Sequence, residues 1–109
     1  MGVIRKSAAE IEKMREAGRI VARILRAVAE AAKPGVSTGE LDEMAETLIY
    51  EYGAKPAFKG YGPGGKPPFP GVICASINEE VVHGIPSRKR ILREGDIFSV
   101  DFGVVKDGW

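Results

Sequence analysis

Apolar and polar positions follow two different periods along this chain. Ile11, Met14, Val21, Ile24, Leu25 and Val28 recur at steps of three and four, which places side chains along one face of an α-helix. This stretch opens with Ser7-Ala8-Ala9-Glu10, where a hydroxyl and a carboxylate can satisfy the first free amides reciprocally. It stops at Lys33-Pro34-Gly35, because proline cannot continue the hydrogen-bond ladder. Gly18 lies inside this helix at a cost of about 1 kcal/mol relative to alanine, so the position suits a close approach by another element. Ser37-Thr38-Gly39-Glu40 repeats the capping signal, and Leu41, Met44, Ala45, Leu48, Ile49 and Tyr52 carry a second stripe that ends at Gly53. The pattern predicts two helices forming an αα pair.

The period then changes. From Lys55 to Gly71 the chain is too rich in glycine and proline for a regular element and is expected to be a loop with aromatic anchors. Tyr61 and Phe69 either line an apolar pocket or tack the loop to the core. Gly62-Pro63-Gly64-Gly65 lacks the Gly-Lys-Ser/Thr ending and the following helix of a phosphate-binding loop. Val72–Ile77 reads as a buried strand, followed by short extended pieces and turns through Pro86. Ile97–Val105 is the strongest strand, with Phe98, Val100, Phe102 and Val104 on one face and Ser99, Asp101 and Gly103 on the other. Lys106-Asp107-Gly108 signals a tight hairpin turn, and only Trp109 follows it. The expectation is a missing return strand and a bare apolar edge, so the chain reads as cut.

Composition narrows the class. In 109 residues, 16 Lys and Arg oppose 15 Asp and Glu for a net charge of +1, which argues against a polybasic nucleic-acid binder or an acidic tail. With 44% hydrophobic and 28% charged residues the chain fits one soluble globular domain. Cys74 is the only cysteine, which excludes an internal disulfide and a thiolate zinc cluster and favours a reducing compartment. No signal-peptide core and no run of about 18 apolar residues occurs, so a cytoplasmic location without membrane contact is expected. Arg15, Arg19, Arg23 and Arg26 form a basic stripe interleaved with Glu12 and Glu16, and the second helix carries Glu40, Asp42, Glu43 and Glu46. That pattern suits a solvated face better than an RNA-facing one. Arg88-Lys89-Arg90 likewise suits a surface loop better than an import signal.

The chemical inventory is small. His83 is the only histidine, and the carboxylates near it in sequence are Glu79 and Glu80, with Asp101 further on. Glu80-Val81-Val82-His83 has a helical metal-ligand spacing, but the β-branched pair and the following Gly84-Ile85-Pro86 oppose a helix there. Cys74 and His83 could form a nucleophile pair, although a thiol in an apolar strand is usually inert. Asp101 occupies the polar face of a strand, either on a solvated surface or directed into a site.

Four segments taken in order carry a resemblance: Glu10–Gly18, Lys33–Leu41, Cys74–Pro86 and Gly95–Asp101. Together they resemble the N-terminal part of type I methionine aminopeptidases, over essentially the whole of residues 1–109. The resemblance implies an α/β (α+β) chain forming half of a pita-bread fold, with two N-terminal helices on a mainly antiparallel sheet. It implies that the intact enzyme removes the initiator methionine from nascent proteins by divalent-metal-assisted hydrolysis, and that its partners are the nascent N-terminus and the ribosome. Carried across, Asp101 matches a metal ligand, His83 the histidine that contacts the substrate, Tyr61, Phe69 and Cys74 the methionine pocket, and the main chain at Asn78 and Glu80 a monovalent-cation site. Two divalent ions per intact site are implied, and these residues do not discriminate between cobalt, manganese, iron and zinc. The family's other ligands, an aspartate, a histidine and two glutamates, lie beyond the matched region, so this chain alone is not expected to hold the metals or to be active. The Tyr61–Phe69 segment is also longer than the family's compact version. The rival expectation is a non-catalytic half-fold that pairs with itself or with a complementary half.

Overall fold

The computed structural model describes residues 2–65 and 67–109, so Lys66 in the glycine-rich loop lies outside the described residues. Helix α1 spans Ala8–Ala31 and begins with a complete capping box: the Ser7 hydroxyl accepts from the Glu10 amide at 3.2 Å, and the Ser7 amide donates to Glu10 Oε1 at 2.8 Å. Helix α2 spans Thr38–Glu51 and forms only the hydroxyl half of its box, with Ser37 Oγ accepting from the Glu40 amide at 3.1 Å. The chain around Ser37 is instead stitched to Arg90–Leu92 by Thr38 N donating to Arg90 O and Leu92 N donating to Val36 O. Gly53 closes α2 at φ +73°, with Ala54 N donating to Ile49 O and Gly53 N to Tyr50 O, a paired ending that satisfies two otherwise free carbonyls.

The two helices pack on one another and bury Ile20, Ile24 and Val28 from α1 and Leu41, Ala45 and Ile49 from α2. This shifts the expected stripe on α1. Ala17 and Ile20 are buried, whereas Ile11 and Met14 are 46% exposed and Leu25 38% exposed. Steps of three and four describe two neighbouring stripes on a helix of this length, and only one has a partner among the described residues. Tyr52, expected at the end of the α2 stripe, is exposed beneath Arg23, whose guanidinium carbon lies 5.9 Å from the ring centre.

Among the described residues, four short strands make two antiparallel ribbons rather than one continuous sheet. β1 (Lys55–Pro56) pairs with β4 (Val104–Val105), and β2 (Cys74–Ile77) pairs with β3 (Phe98–Asp101). The expected strand Ile97–Val105 is therefore split at Phe102–Gly103, where it changes partner, and Ile97 is left exposed. Its alternation survives the split: Phe98, Val100, Phe102 and Val104 meet the core, and Ser99 and Asp101 are exposed. β1 lies against α2 and β4 against α1. The hairpin turn forms as expected, with Asp107 and Gly108 at φ +50° and +82° and Lys106 and Trp109 exchanging both backbone hydrogen bonds. Among the described residues no helix is long and apolar enough to cross a membrane.

β2 starts two residues later than the apolar run suggests, for a polar reason. Val72 and Ile73 are fully buried, but their amides donate to Asp42 Oδ1 at 2.8 and 2.9 Å instead of to a neighbouring strand. Burial pushes the Asp42 carboxyl up, against the two backbone amides that pull it down. A carboxyl raised in the folded state stabilises fully below its unfolded pKa, and the contribution is lost as pH rises through the folded value. Asp42→Asn keeps an acceptor oxygen without the charge, so its denaturation midpoint should rise relative to the parent as pH goes from about 4 to 7. Asp42→Leu strands both amides and should cost about 1–3 kcal/mol. A parent chain that gains on Asp42→Asn as pH rises would contradict this account.

Candidate functional site

The alternation of β2 decides what the site contains. Ala75 and Ile77 point into the core, so Cys74 and Ser76 face the other side. The register sets Cys74 opposite Asp101 and Ser76 opposite Ser99, and directly opposed residues project from the same face of a ribbon. On the other edge of β2, Ala75 N donates to Gly84 O at 2.8 Å and Gly84 N donates to Ser76 Oγ at 3.1 Å. A Cβ at Gly84 would lie 2.2 Å from Ala75 O, so only glycine permits this approach. His83 precedes it at φ +62°. His83, Cys74 and Asp101 are thereby brought side by side across the ribbon.

The loop after β1 forms the opposite wall. Gly60 N donates to Phe69 O at 2.9 Å and Phe69 N to Tyr61 O at 2.8 Å, drawing the ends of the excursion together. Lys59 Nζ reaches Glu46 Oε2 at 2.7 Å, which ties the loop to α2 one helical turn from Asp42. Between loop and ribbon lies an open cavity of about 540 Å³, lined by Ala57, Phe58, Tyr61, Gly62, Pro67, Phe69, Cys74, His83 and Asp101. Among the described residues its lining is mostly apolar, with Asp101 as the single carboxylate and His83 as the single imidazole. That is the composition of a small-ligand site with few orienting polar groups.

The structure thus gathers five of the expected residues, Tyr61, Phe69, Cys74, His83 and Asp101, around one cavity. Asn78 and Glu80 are not in that lining and sit past the Ile77 end of β2. There Asn78, at φ +55°, accepts from Ile97 N at 3.0 Å through Oδ1 and donates to Asp96 Oδ1 at 3.1 Å. Glu80 accepts from the Ile77 amide at 3.0 Å and pairs with Arg90 at 2.8 Å, and both interactions hold its carboxyl below the usual range. Its carboxylate is committed to those partners, and no helix joins it to His83, so the helical Glu80/His83 ligand spacing is not realised. The Arg88–Arg90 run is similarly engaged, with Arg88 on Glu43 and Arg90 on Glu80. Phe58, Pro67 and Asp42 were not singled out from sequence; a loop aromatic beside two others and a carboxylate on a half-buried helix position were the available signals.

Burial, followed by the nearby Asp101 charge, pushes the Cys74 thiol up, and the His83 amide only partly offsets this. A buried thiol held protonated is a poor nucleophile, so the geometry makes Cys74 a wall of the cavity. Among the described residues no group of three or more His, Cys, Asp or Glu side chains is placed to hold a metal ion.

Comparison with known proteins identifies the family. The model of metallopeptidase family M24 matches residues 12–109. The methionine aminopeptidase of Clostridium acetobutylicum is 54% identical over 107 residues, covering 98% of this chain and 41% of that protein. That of Aquifex aeolicus is 50% identical over 105 residues, covering 92% of this chain and 39% of that protein. The crystal structure of methionine aminopeptidase from Thermotoga maritima superposes with a TM-score of 0.87 at 43% identity, covering 97% of this chain and 41% of that one. The Rickettsia prowazekii enzyme gives a TM-score of 0.90 at 37% identity, over 99% of this chain and 41% of that one. The chain spans about two-fifths of the length of the curated relatives it matches. Its two helices and antiparallel ribbons are part of the methionine aminopeptidase pita-bread fold, and the chain belongs to metallopeptidase family M24.

Proposed function

We propose that this chain supplies one part of a methionyl aminopeptidase site, which in a protein of the relatives' length removes the initiator methionine from nascent polypeptides. The observation that carries the reading is the cavity with Tyr61, Phe69 and Cys74 on its apolar walls and with His83 and Asp101 beside Cys74. An unbranched thioether side chain suits an apolar, polarisable pocket. His83 is proposed to hydrogen-bond the substrate amide, and Asp101 to contribute one carboxylate at the reacting end. The main chain at Asn78 and Glu80 is proposed as a monovalent-cation site on the strength of the family resemblance alone. Nascent chains and the ribosome as partners, and the cytoplasm as the setting, follow from the same reading.

Family M24 implies divalent metal in the intact enzyme. The residues present do not fit a two-metal centre by themselves, because the cavity offers one carboxylate and the described residues hold no cluster of three potential ligands. The proposal therefore assigns the remaining ligands to the part of a full-length relative that this chain does not span. By itself the 109-residue chain is expected to be inactive.

Joining the chain to the remainder of the Clostridium acetobutylicum relative tests the reading. Methionine release from a Met-Ala-Ser peptide should appear, vanish with a chelator and return with added divalent metal. Asp101→Asn should lower it by more than about 100-fold. Chelator-resistant release blocked by iodoacetamide would instead make Cys74 a nucleophile. A second measurement needs only the chain: at pH 8, iodoacetamide should modify Cys74 at least about tenfold more slowly in the native state than in urea. Equal rates in the two states would contradict Cys74 as a protonated wall.

A further inference from the structure

Among the described residues three polar side chains are buried, Ser37, Thr38 and Ser76, and each accepts from a backbone amide: Glu40 N, Ser87 N and Gly84 N respectively. Ser37 and Thr38 serve the start of α2. Ser76 stands apart, because it is not in the described lining of the cavity and yet its partner directly follows His83, which is. The φ of +62° at His83 is a conformation that residues with side chains rarely adopt, and it persists only where the surroundings hold it. Side-chain packing does not supply that hold: Val81 is 84% exposed, Val82 54% and Ile85 53%, and His83 itself is exposed. Gly84 is the buried residue of this segment, and two hydrogen bonds meet there. Ala75 N donates to Gly84 O at 2.8 Å, which fixes the chain after Gly84, and Gly84 N donates to Ser76 Oγ at 3.1 Å. The Gly84 nitrogen belongs to the same planar peptide as the His83 carbonyl, so the Ser76 bond fixes the rotation about the Cα–C bond of His83.

We propose that Ser76 is a positioning residue for His83: its hydroxyl holds the His83–Gly84 peptide in the orientation that keeps φ positive at His83 and the imidazole on the cavity wall. The inference rests on the reading of His83 as the group that hydrogen-bonds the substrate amide, and its test separates the two. Ser76 touches no substrate in this scheme and acts through His83 alone. Removing the hydroxyl leaves the buried Gly84 amide without its acceptor, and a segment without side-chain packing relieves this by rotating the peptide. The imidazole then leaves its place. Tyr61 and Phe69 are held by the loop's own hydrogen bonds, so the apolar walls stay. Losing a contact made at the reacting end while the walls remain lowers kcat and spares KM.

The test has two arms. In the 109-residue chain, nuclear magnetic resonance compares the parent with Ser76→Ala. The strong amide–Hα cross-peak that marks a positive φ at His83 should weaken, and the Gly84 amide should exchange with solvent at least about tenfold faster. An unchanged cross-peak and unchanged Gly84 exchange overturn the proposal. In the chain joined to the remainder of the Clostridium acetobutylicum relative, Ser76→Ala should lower kcat for methionine release at least about tenfold and leave KM within about threefold. Ile24→Val, which thins the core away from the cavity, should leave kcat within about twofold. In a His83→Ala background, adding Ser76→Ala should change kcat by less than about twofold, because the group it positions is already gone. An equal loss in both backgrounds, or a loss no larger than that of Ile24→Val, overturns the proposal. Where His83→Ala leaves no measurable release, the resonance comparison decides. A joined protein that releases no methionine sinks the functional reading, and the resonance comparison then still decides whether Ser76 holds His83.

Discussion

The double-edged pairing of β2 is the constraint on which the rest of the structure depends. β3 occupies one edge and the Gly84 backbone the other, so this four-residue strand carries hydrogen bonds on both edges. Because its side chains alternate, the register that sends Ala75 and Ile77 into the core also turns Cys74 outward beside Asp101. A shift of one residue would turn Asp101 and Cys74 toward the core and Ala75 and Val100 toward the cavity, exchanging the site for the core. The core and the cavity are thus two faces of one hydrogen-bonding pattern, and Gly84 is required because any side chain there would strike the Ala75 carbonyl.

Polar tethers from α2 carry that arrangement outward. Asp42 holds the amides of Val72 and Ile73 at the entrance to β2, and Glu46 one turn later holds Lys59 at the start of the loop. Two carboxylates on a single helix face therefore set the distance between the apolar wall and the ribbon that bears His83 and Asp101. The burial that raises the Asp42 carboxyl is the cost of placing a charged acceptor where two backbone amides would otherwise be unsatisfied.

What could be read in the sequence follows the range of the forces involved. The Ser7 capping box, the Gly53 ending and the Asp107-Gly108 turn are local hydrogen-bond chemistry, and each forms where the residues indicate. The break at Phe102–Gly103 was not legible, because it depends on Val104–Val105 finding Lys55–Pro56 some fifty residues away in a segment that reads as loop. Ile11, Met14 and Leu25 fit a helical stripe as well as Ile20 does, and only tertiary packing separates them. Asp101 was visible as a polar residue on a strand face with two open outcomes. Its place beside Cys74 and His83 comes from register and from the return of the chain at Gly84, which no local signal specifies. Motif order carried the family, and comparison with whole proteins agrees.

The central claim is that the loop and the ribbon of this chain already form an apolar pocket with a polar end. The most direct measurement is a nuclear magnetic resonance titration of the isotopically labelled chain with L-methionine amide. The account predicts saturable shifts at Phe58, Tyr61, Phe69, Cys74 and His83, and none at Asn78–Glu80 or Asp96–Ile97, which lie at the other end of the ribbon. Shifts concentrated at that other end, or none at saturating ligand, would contradict it.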